Sequence, residues 1–269
     1  MICLNYLGKF GQLGNQMFQY AAIRGIAANL GYEIVIPNHN EEIIDSLGNR
    51  LRIELFKPFK LKNVSQKNIG VLSDVQVVQE KHFHFDENLF NNCPDNVCLV
   101  GYFQTEKYFK NVEQIIREDF EFIDDIQEPC LEMMSSTNKP IALHIRRGDF
   151  LINSLNHNNL TIEYYKDALS CFDSDREVII FSDDPEWCKS QDLFSDERFL
   201  VSESDSSYVD LCLMSMCSDF IIANSTFSWW GAWLSNNQSK SVIAPSKWFG
   251  VNNLHHNIKD LFPEQWKVL

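Results

Sequence analysis

Between Pro140 and Ala244 short apolar runs alternate with stretches of helical spacing, and this alternation constrains the fold more than any other feature of the chain. The runs Ile141–Ile145, Val178–Phe181, Phe199–Val201, Phe220–Ala223 and Val242–Ala244 read as short buried strands. Helices are predicted between them at Ile162–Cys171, Tyr208–Met216 and Phe227–Leu234, and Asp184-Pro185 suits the cap and first position of another. Strands separated by helices form a parallel sheet with crossover connections. The first residues repeat the pattern. Ile2–Leu7 is a predicted strand and Gly8–Gly14 a turn, followed by a helix from Asn15 with Phe18, Ala22, Ile26 and Leu30 on one face. Gly31 is placed to end that helix in the left-handed conformation, before a second strand at Tyr32–Ile36. Val97–Phe103 reads as a strand and Glu106–Ile116 as a helix, whereas 38–96 is polar and yields no clear elements. Glu118–Glu128 holds six acidic residues and no basic one, and with Ser135–Lys139 it reads as a solvated linker. The expected organisation is therefore two α/β domains, 1–130 and 139–269. A ligand is expected between them, outside the carboxyl ends of the strands.

Composition removes several classes of function. A net charge of −14 excludes nucleic acid as the main partner, because phosphate backbones demand clustered Lys and Arg. One small phosphorylated ligand in a local basic pocket stays compatible with it. No apolar run approaches the roughly 18 residues of a membrane span. Met1–Phe10 lacks the pattern of a secretory signal, so a cytoplasmic protein is expected, with the inner membrane face as a peripheral alternative. The eight cysteines form no C-x-x-C pair and are expected to be reduced core residues. His82-Phe83-His84 and His255-His256 lack a third ligand and read as solvent-facing pairs, so no metal is expected.

Four segments at strand-to-helix junctions carry the candidate chemistry. Gly11-Gln12-Leu13-Gly14-Asn15-Gln16 lacks the dinucleotide fingerprint, and is either a close-approach loop at an anion-friendly helix terminus or a tight turn. In His144-Ile145-Arg146-Arg147-Gly148-Asp149 successive side chains point to opposite sides. Arg146 is assigned to a phosphate and Arg147 to an ion pair with Asp149 or Asp167. His144 alone would more often be a hydrogen-bonded core histidine. In Ser182-Asp183-Asp184-Pro185, Asp184 is explained as a cap, while Asp183 is left over as an acceptor suited to guanine N–H groups. Asn224-Ser225-Thr226-Phe227 precedes a helix and offers hydroxyls and free N–H groups to a phosphate, or simply a cap by Ser225 or Thr226. Trp229, Trp230 and Trp233 are expected to be mostly core, packing across the domain interface.

Together these segments resemble glycosyltransferase family 11, the α-1,2-fucosyltransferases. The resemblance rests on Gly14-Asn15-Gln16-Met17-Phe18-Gln19-Tyr20-Ala21, His144–Asp149, Ser182-Asp183-Asp184 and Asn224–Gly231, in the family's order across residues 11–234. It implies two Rossmann-like domains facing across a cleft, the type-B glycosyltransferase fold. It also implies an inverting, metal-independent transfer of L-fucose from GDP-fucose to the 2-hydroxyl of a terminal galactose, in surface polysaccharide or glycan-mimic synthesis. No cofactor is implied beyond the donor substrate, and the short chain without an anchor suggests a bacterial member. By matching residues, His144 and Asp183, with Ser182 beside them, would contact guanosine and Arg146 the β-phosphate. Ser225, Thr226 and Phe227, after Asn224, would hold the diphosphate, and Gly14-Asn15 would approach from the first domain. Asp149 is the first candidate for the base that accepts the acceptor's proton, or else it orients Arg146. Transfer in another linkage (α-1,6 or protein O-linked) and non-catalytic binding of a glycan or nucleotide sugar are the competing readings.

Overall fold

The computed structural model describes residues 1–269, which divide into two compact units: 1–123 with 256–263, and 124–255 with 264–269. In the first unit β1 (Ile2–Cys3) leads through a turn into α1 (Leu13–Leu30), then β2 (Ile34–Val35). A hairpin of β3 (Glu42–Ile44) and β4 (Arg50–Arg52) follows, then β5 (Gln76–Gln79), α2 (Glu87–Asn92), β6 (Val97–Val100) and α3 (Glu113–Asp119). The strands β2-β1-β6-β5 form one parallel sheet. Gly31 ends α1 at φ 70°, its N–H bonded to the Ala27 carbonyl.

Two expectations fail in this unit for tertiary reasons. The predicted helix at 106–116 is two 3₁₀ turns, Glu106–Tyr108 and Lys110–Val112, before α3. Tyr108 and Phe109 are fully buried, and the Tyr108 carbonyl lies so close to α1 that a Cβ on Gly25 would stand 1.8 Å from it. That close packing holds the backbone out of regular helix. The acidic stretch is no solvated linker either. Asp119 is fully buried and accepts from Tyr20 Oη at 2.5 Å and from the Asn63 N–H at 2.7 Å. Phe120 and Phe122 are buried, and Glu121 pairs with Lys60 and Lys62.

The second unit opens with the rest of that stretch, α4 (Asp124–Met134), so the division falls at 123/124 instead of within 131–138. Then come β7 (Ile141–Ile145), α5 (Gly148–Ile152), α6 (Ile162–Leu169), β8 (Val178–Ser182), α7 (Pro185–Lys189) and β9 (Phe199–Val201). They are followed by α8 (Ser207–Met216), β10 (Asp219–Ile221), α9 (Thr226–Leu234), β11 (Val242–Ala244) and β12 (Lys267–Val268). All six strands are parallel, in the order β9-β8-β7-β10-β11-β12. The sheet thus grows outward in one direction from β7 and in the other from β10. Their boundary is the switch point where such sheets bind ligands, outside the carboxyl ends of the strands.

Ile141, Leu143 and Ile145 of β7 sit at the centre of a core completed by Val178, Ile180, Ile221 and Ile243. Helix α9 is buried along most of its length, as a helix apolar on all sides must be. Trp229, Trp230 and Trp233 pack inside this unit, on one another and on Trp266, with ring centroids 5.0–5.3 Å apart for Trp229–Trp230, Trp230–Trp233 and Trp229–Trp266. All three are buried, as the expectation of mostly core tryptophans requires. Seven cysteines are buried, and Cys171 is exposed.

Candidate active site

Both sides of the switch point are built by motif residues. On one side β7 delivers His144, then Arg146, to the carboxyl end of the sheet. His144 is only 5% exposed, and its Nδ1 lies 2.8 Å from Ser228 Oγ on α9, its ring 5.5 Å from that of Phe227. Burial, reinforced by Arg146, lowers its pKa to about 3, so the imidazole is neutral. It joins β7 to α9 across the switch point.

The two arginines diverge as the strand alternation requires. Arg146 lies between two carboxylates, Nη2 2.6 Å from Asp149 Oδ1 and Nη1 3.0 Å from Asp183 Oδ2, with its guanidinium 5.5 Å from the centre of the Phe150 ring. These pairs engage two of the five N–H donors of a guanidinium. Arg147 turns away, stacking 4.0 Å over Trp187 and donating from Nε to Asp184 Oδ2 at 3.0 Å. Its partner is therefore neither Asp149 nor Asp167. Asp184 does double duty, since Oδ1 also caps α7 through the Trp187 N–H at 3.2 Å. Asp183 is not left over. Besides Arg146 it accepts the Arg147 N–H at 2.8 Å, while Ser182 Oγ accepts the Asp184 N–H at 3.0 Å.

Across the switch point, Ser225 caps α9, its Oγ accepting from the Phe227 N–H at 3.3 Å. Thr226 is the first residue of α9, and the unpaired first-turn N–H groups of such a helix favour negative charge. Asn224 does something the sequence did not announce. It is 3% exposed, and Nδ2 donates to two main-chain carbonyls, Asn158 at 2.8 Å and Trp248 at 2.9 Å. Both amide hydrogens are thereby committed to fixing the segments that follow α5 and β11.

In the first unit the loops after β1 and β6 meet at the carboxyl end of their sheet. Asn15 Oδ1 accepts from Gln104 Nε2 at 2.8 Å, and Gln19 Nε2 donates to the Gly101 carbonyl at 3.0 Å. Gln16, fully buried, ties the turn to Arg52 and Glu54. The turn is tight because Gly11, at φ 75°, leaves no room for a Cβ beside Asn15 Nδ2. Helix α1, which takes in Gly14, begins at Leu13, whose N–H already donates to Glu54 Oε2 at 3.0 Å. The helix terminus read as anion-friendly thus holds the protein's own carboxylate. Glu54 gave no sequence signal, lying 41 residues away. Glu80, its carboxyl raised by burial to about 7, accepts the N–H groups of Tyr102 and Phe103 at 2.8 and 2.9 Å and so shapes the loop that carries Gln104.

This pairing of a guanidinium with a helix terminus at the switch point of a doubly wound sheet suits a nucleoside diphosphate. The sequence profile of Glycosyl transferase family 11 matches residues 4–269. The chain belongs to glycosyl transferase family 11.

This family 11 chain is 30% identical to the O-antigen biosynthesis glycosyltransferase WbnK of Escherichia coli, over 90% of its own length and 94% of the relative's. It is 31% identical to an alpha-1,2-colitosyltransferase of E. coli, over 95% of each chain. It is 25% identical to a galactoside 2-alpha-L-fucosyltransferase of Caenorhabditis elegans, over 99% of this chain and 79% of that one. In fold it resembles POFUT1 solved in complex with GDP, with a TM-score of 0.56 at 14% identity over 90% of this chain and 96% of that one. No helix of this family 11 transferase is long and apolar enough to cross a membrane.

One residue of the family motif owes its identity to a close approach. A Cβ on Gly148 would stand 2.5 Å from Asp183 Oδ2 and 3.2 Å from its Cγ, and that carboxylate is held by Arg146 and the Arg147 N–H. Gly148→Ala is expected to displace Asp183 and Arg146 together and to lower glycosyl transfer about 10²-fold, as misplacements of about 1 Å do. The thermal midpoint should move little, because the site is partly exposed. Steady-state rates and a melting curve test this, and a variant of unchanged rate would contradict it.

Proposed function

We propose that the protein transfers L-fucose from GDP-fucose to the 2-hydroxyl of a terminal galactose, with inversion at the anomeric carbon and without a metal ion. The observation that carries this reading is Arg146 and the start of α9 flanking one switch point. Breaking the sugar–phosphate bond leaves negative charge on GDP. Arg146 would take the β-phosphate, and the first N–H groups of α9 with Ser225, Thr226 and Phe227 would hold the diphosphate. Asp183 has lone pairs left for guanine N–H groups, with Ser182 beside it. His144, buried and neutral, holds the end of β7 against α9, and Asn224 fixes the surrounding segments. Asp149, bonded to Arg146 at 2.6 Å, acts as its orienter.

The names of the relatives support the α-1,2 linkage over α-1,6 or protein O-linked transfer, and the O-antigen relative supports a surface polysaccharide as the product. The similarity to a colitosyltransferase favours a second donor, GDP-colitose, acting at the same site.

The deciding experiment measures GDP release from GDP-fucose and from GDP-colitose in the presence of EDTA, with and without lactose. Lactose-dependent release from GDP-fucose is expected, at the same rate with EDTA as without. Release from GDP-colitose alone would transfer the assignment to that donor, and loss of activity with EDTA would overturn the metal-free mechanism. Binding of GDP with no transfer from either donor, to lactose or to other galactose-terminated glycans, would overturn the reading.

A further inference from the structure

A base for the acceptor hydroxyl is still missing from the site. Asp149 is poorly suited, because its Oδ1 is bound to Arg146 at 2.6 Å and a proton added there would compete with the guanidinium. The loop after α5 brings a second group to the same place. Its backbone turns at Asn153, whose carbonyl accepts the His157 N–H at 3.0 Å, and His157 pairs in an antiparallel bridge with Phe249. On one side the Asn156 carbonyl accepts the Gly250 N–H at 3.0 Å. On the other, Asn224 holds the Asn158 carbonyl at 2.8 Å. His157 is therefore fixed by main-chain bonds immediately before and after it.

Its side chain is equally well placed. The imidazole lies flat against Phe150, ring centroids 4.0 Å apart and planes 10° from parallel. Phe150 is the residue after Asp149, and the same ring lies beneath the Arg146 guanidinium. Neither ring nitrogen of His157 hydrogen-bonds to the protein, although the ring is only partly exposed. The ring is close enough to Asp149 and Arg146 to sense both charges. Phe249–Asn253, whose main chain pairs with that of 155–157, contains no titratable residue. An imidazole pinned in place, with unused nitrogens, next to the carboxylate–arginine pair has no structural task that a phenyl ring could not perform.

Resting on the transferase reading above, we propose that His157 is the general base of the reaction. One ring nitrogen takes the proton of the galactose hydroxyl as that oxygen bonds to C1 of the donor sugar. The C1–O bond to the β-phosphate breaks, and its electron pair leaves with GDP. The O–H proton becomes the N–H proton of an imidazolium that Asp149 stabilises, and solvent later removes it. Burial lowers the ring's pKa below the ordinary 6.5, Asp149 opposing and Arg146 assisting, so the basic form is the resting form at neutral pH.

His157→Gln and His157→Phe test this, the second keeping a flat ring on Phe150. Both should bind GDP within about threefold of the parent, which also shows that the second unit is folded, while kcat falls about 10²–10⁴-fold with little change in acceptor KM. The parent's kcat/KM should rise with pH through a limb centred below 6.5 and then level off, and that limb should vanish in both variants. A His157→Phe enzyme within about threefold of the parent's kcat overturns the proposal, as does a parent profile without the limb or variants that retain it. In those cases the parent still transfers sugar and the functional reading stands. A parent that transfers nothing from either sugar nucleotide overturns both.

Discussion

Replacing Arg146 with alanine is expected to lower transfer by at least about 10³-fold, the range in which a single arginine neutralises charge in phosphoryl chemistry. The substitution does more than delete a contact. It leaves Asp149 and Asp183, now without the cation between them, at the proposed diphosphate site. GDP affinity should therefore fall along with turnover, and lysine should restore little of either, because a point charge cannot bridge both carboxylates and a phosphate with one planar fork. The fold should survive. The side chains involved are 17–24% exposed, so solvent screens the unbalanced charge and the thermal midpoint should shift by only a few degrees. Arg147→Ala is the control: it removes a stack on Trp187 and a bond to Asp184 on the other side of the loop, and turnover should stay within about tenfold of the parent. Rates, GDP affinities and melting curves for the three variants would settle the assignment. An Arg146→Ala enzyme of near-parental rate would remove Arg146 from the phosphate site.

The largest effect on stability is expected from Asn224→Asp. The two side chains have the same shape, but the amide donates to both the Asn158 and Trp248 carbonyls from a position 3% exposed. An oxygen in place of that NH₂ faces two carbonyl oxygens and leaves them unsatisfied, and it brings a charge with no cationic partner. A loss of about 3–5 kcal/mol is expected, in line with breaking a buried charged pair or network. At about 2–4 °C per kcal/mol for a domain of this size, the midpoint should fall by roughly 10 °C. Below the pKa of the new carboxyl the protonated form regains one donor, so part of the loss should be recovered in acid. A variant melting within about 2 °C of the parent at neutral pH would contradict the anchoring role.

These residues show what can be read along the chain and what cannot. Helix α1 and its Gly31 terminator, the strands β7, β9 and β11, the Asp184 cap and the divergence of Arg146 from Arg147 all depend on neighbours a few positions away, so periodicity and local stereochemistry reveal them. Asn224 stood out in the sequence as part of a phosphate cradle, but the partners it holds in the structure are carbonyl groups 66 and 24 positions away, and a carbonyl has no signature of its own. The same holds for Glu54 on the Leu13 N–H and for Asp119, an acidic residue in an acidic run that proved to be fully buried. In each case composition suggested solvent and a long-range hydrogen bond decided otherwise. The helix expected at 106–116 fails for a related reason, since the carbonyl that displaces it is pressed against a glycine on another helix. His157 drew no attention because a lone histidine in an asparagine-rich loop carries no pattern.

The path of the chain between the two units has a practical consequence for anyone recombining transferases. Residues 256–263 belong with the first unit, where Asp260 accepts the Phe85 N–H at 3.1 Å and pairs with Lys107 at 2.7 Å. The last residues then return to the second unit as β12, where the Leu269 N–H bonds to the Ala244 carbonyl. A hybrid made with a single crossover near 123 would join the first unit of one parent to the 256–263 segment of another. It would lose the Asp260 bonds unless the donor of that segment happened to supply them. Exchanging one half cleanly takes three junctions, at 123/124, 255/256 and 263/264, and libraries built that way should yield far more folded chimaeras than libraries with one.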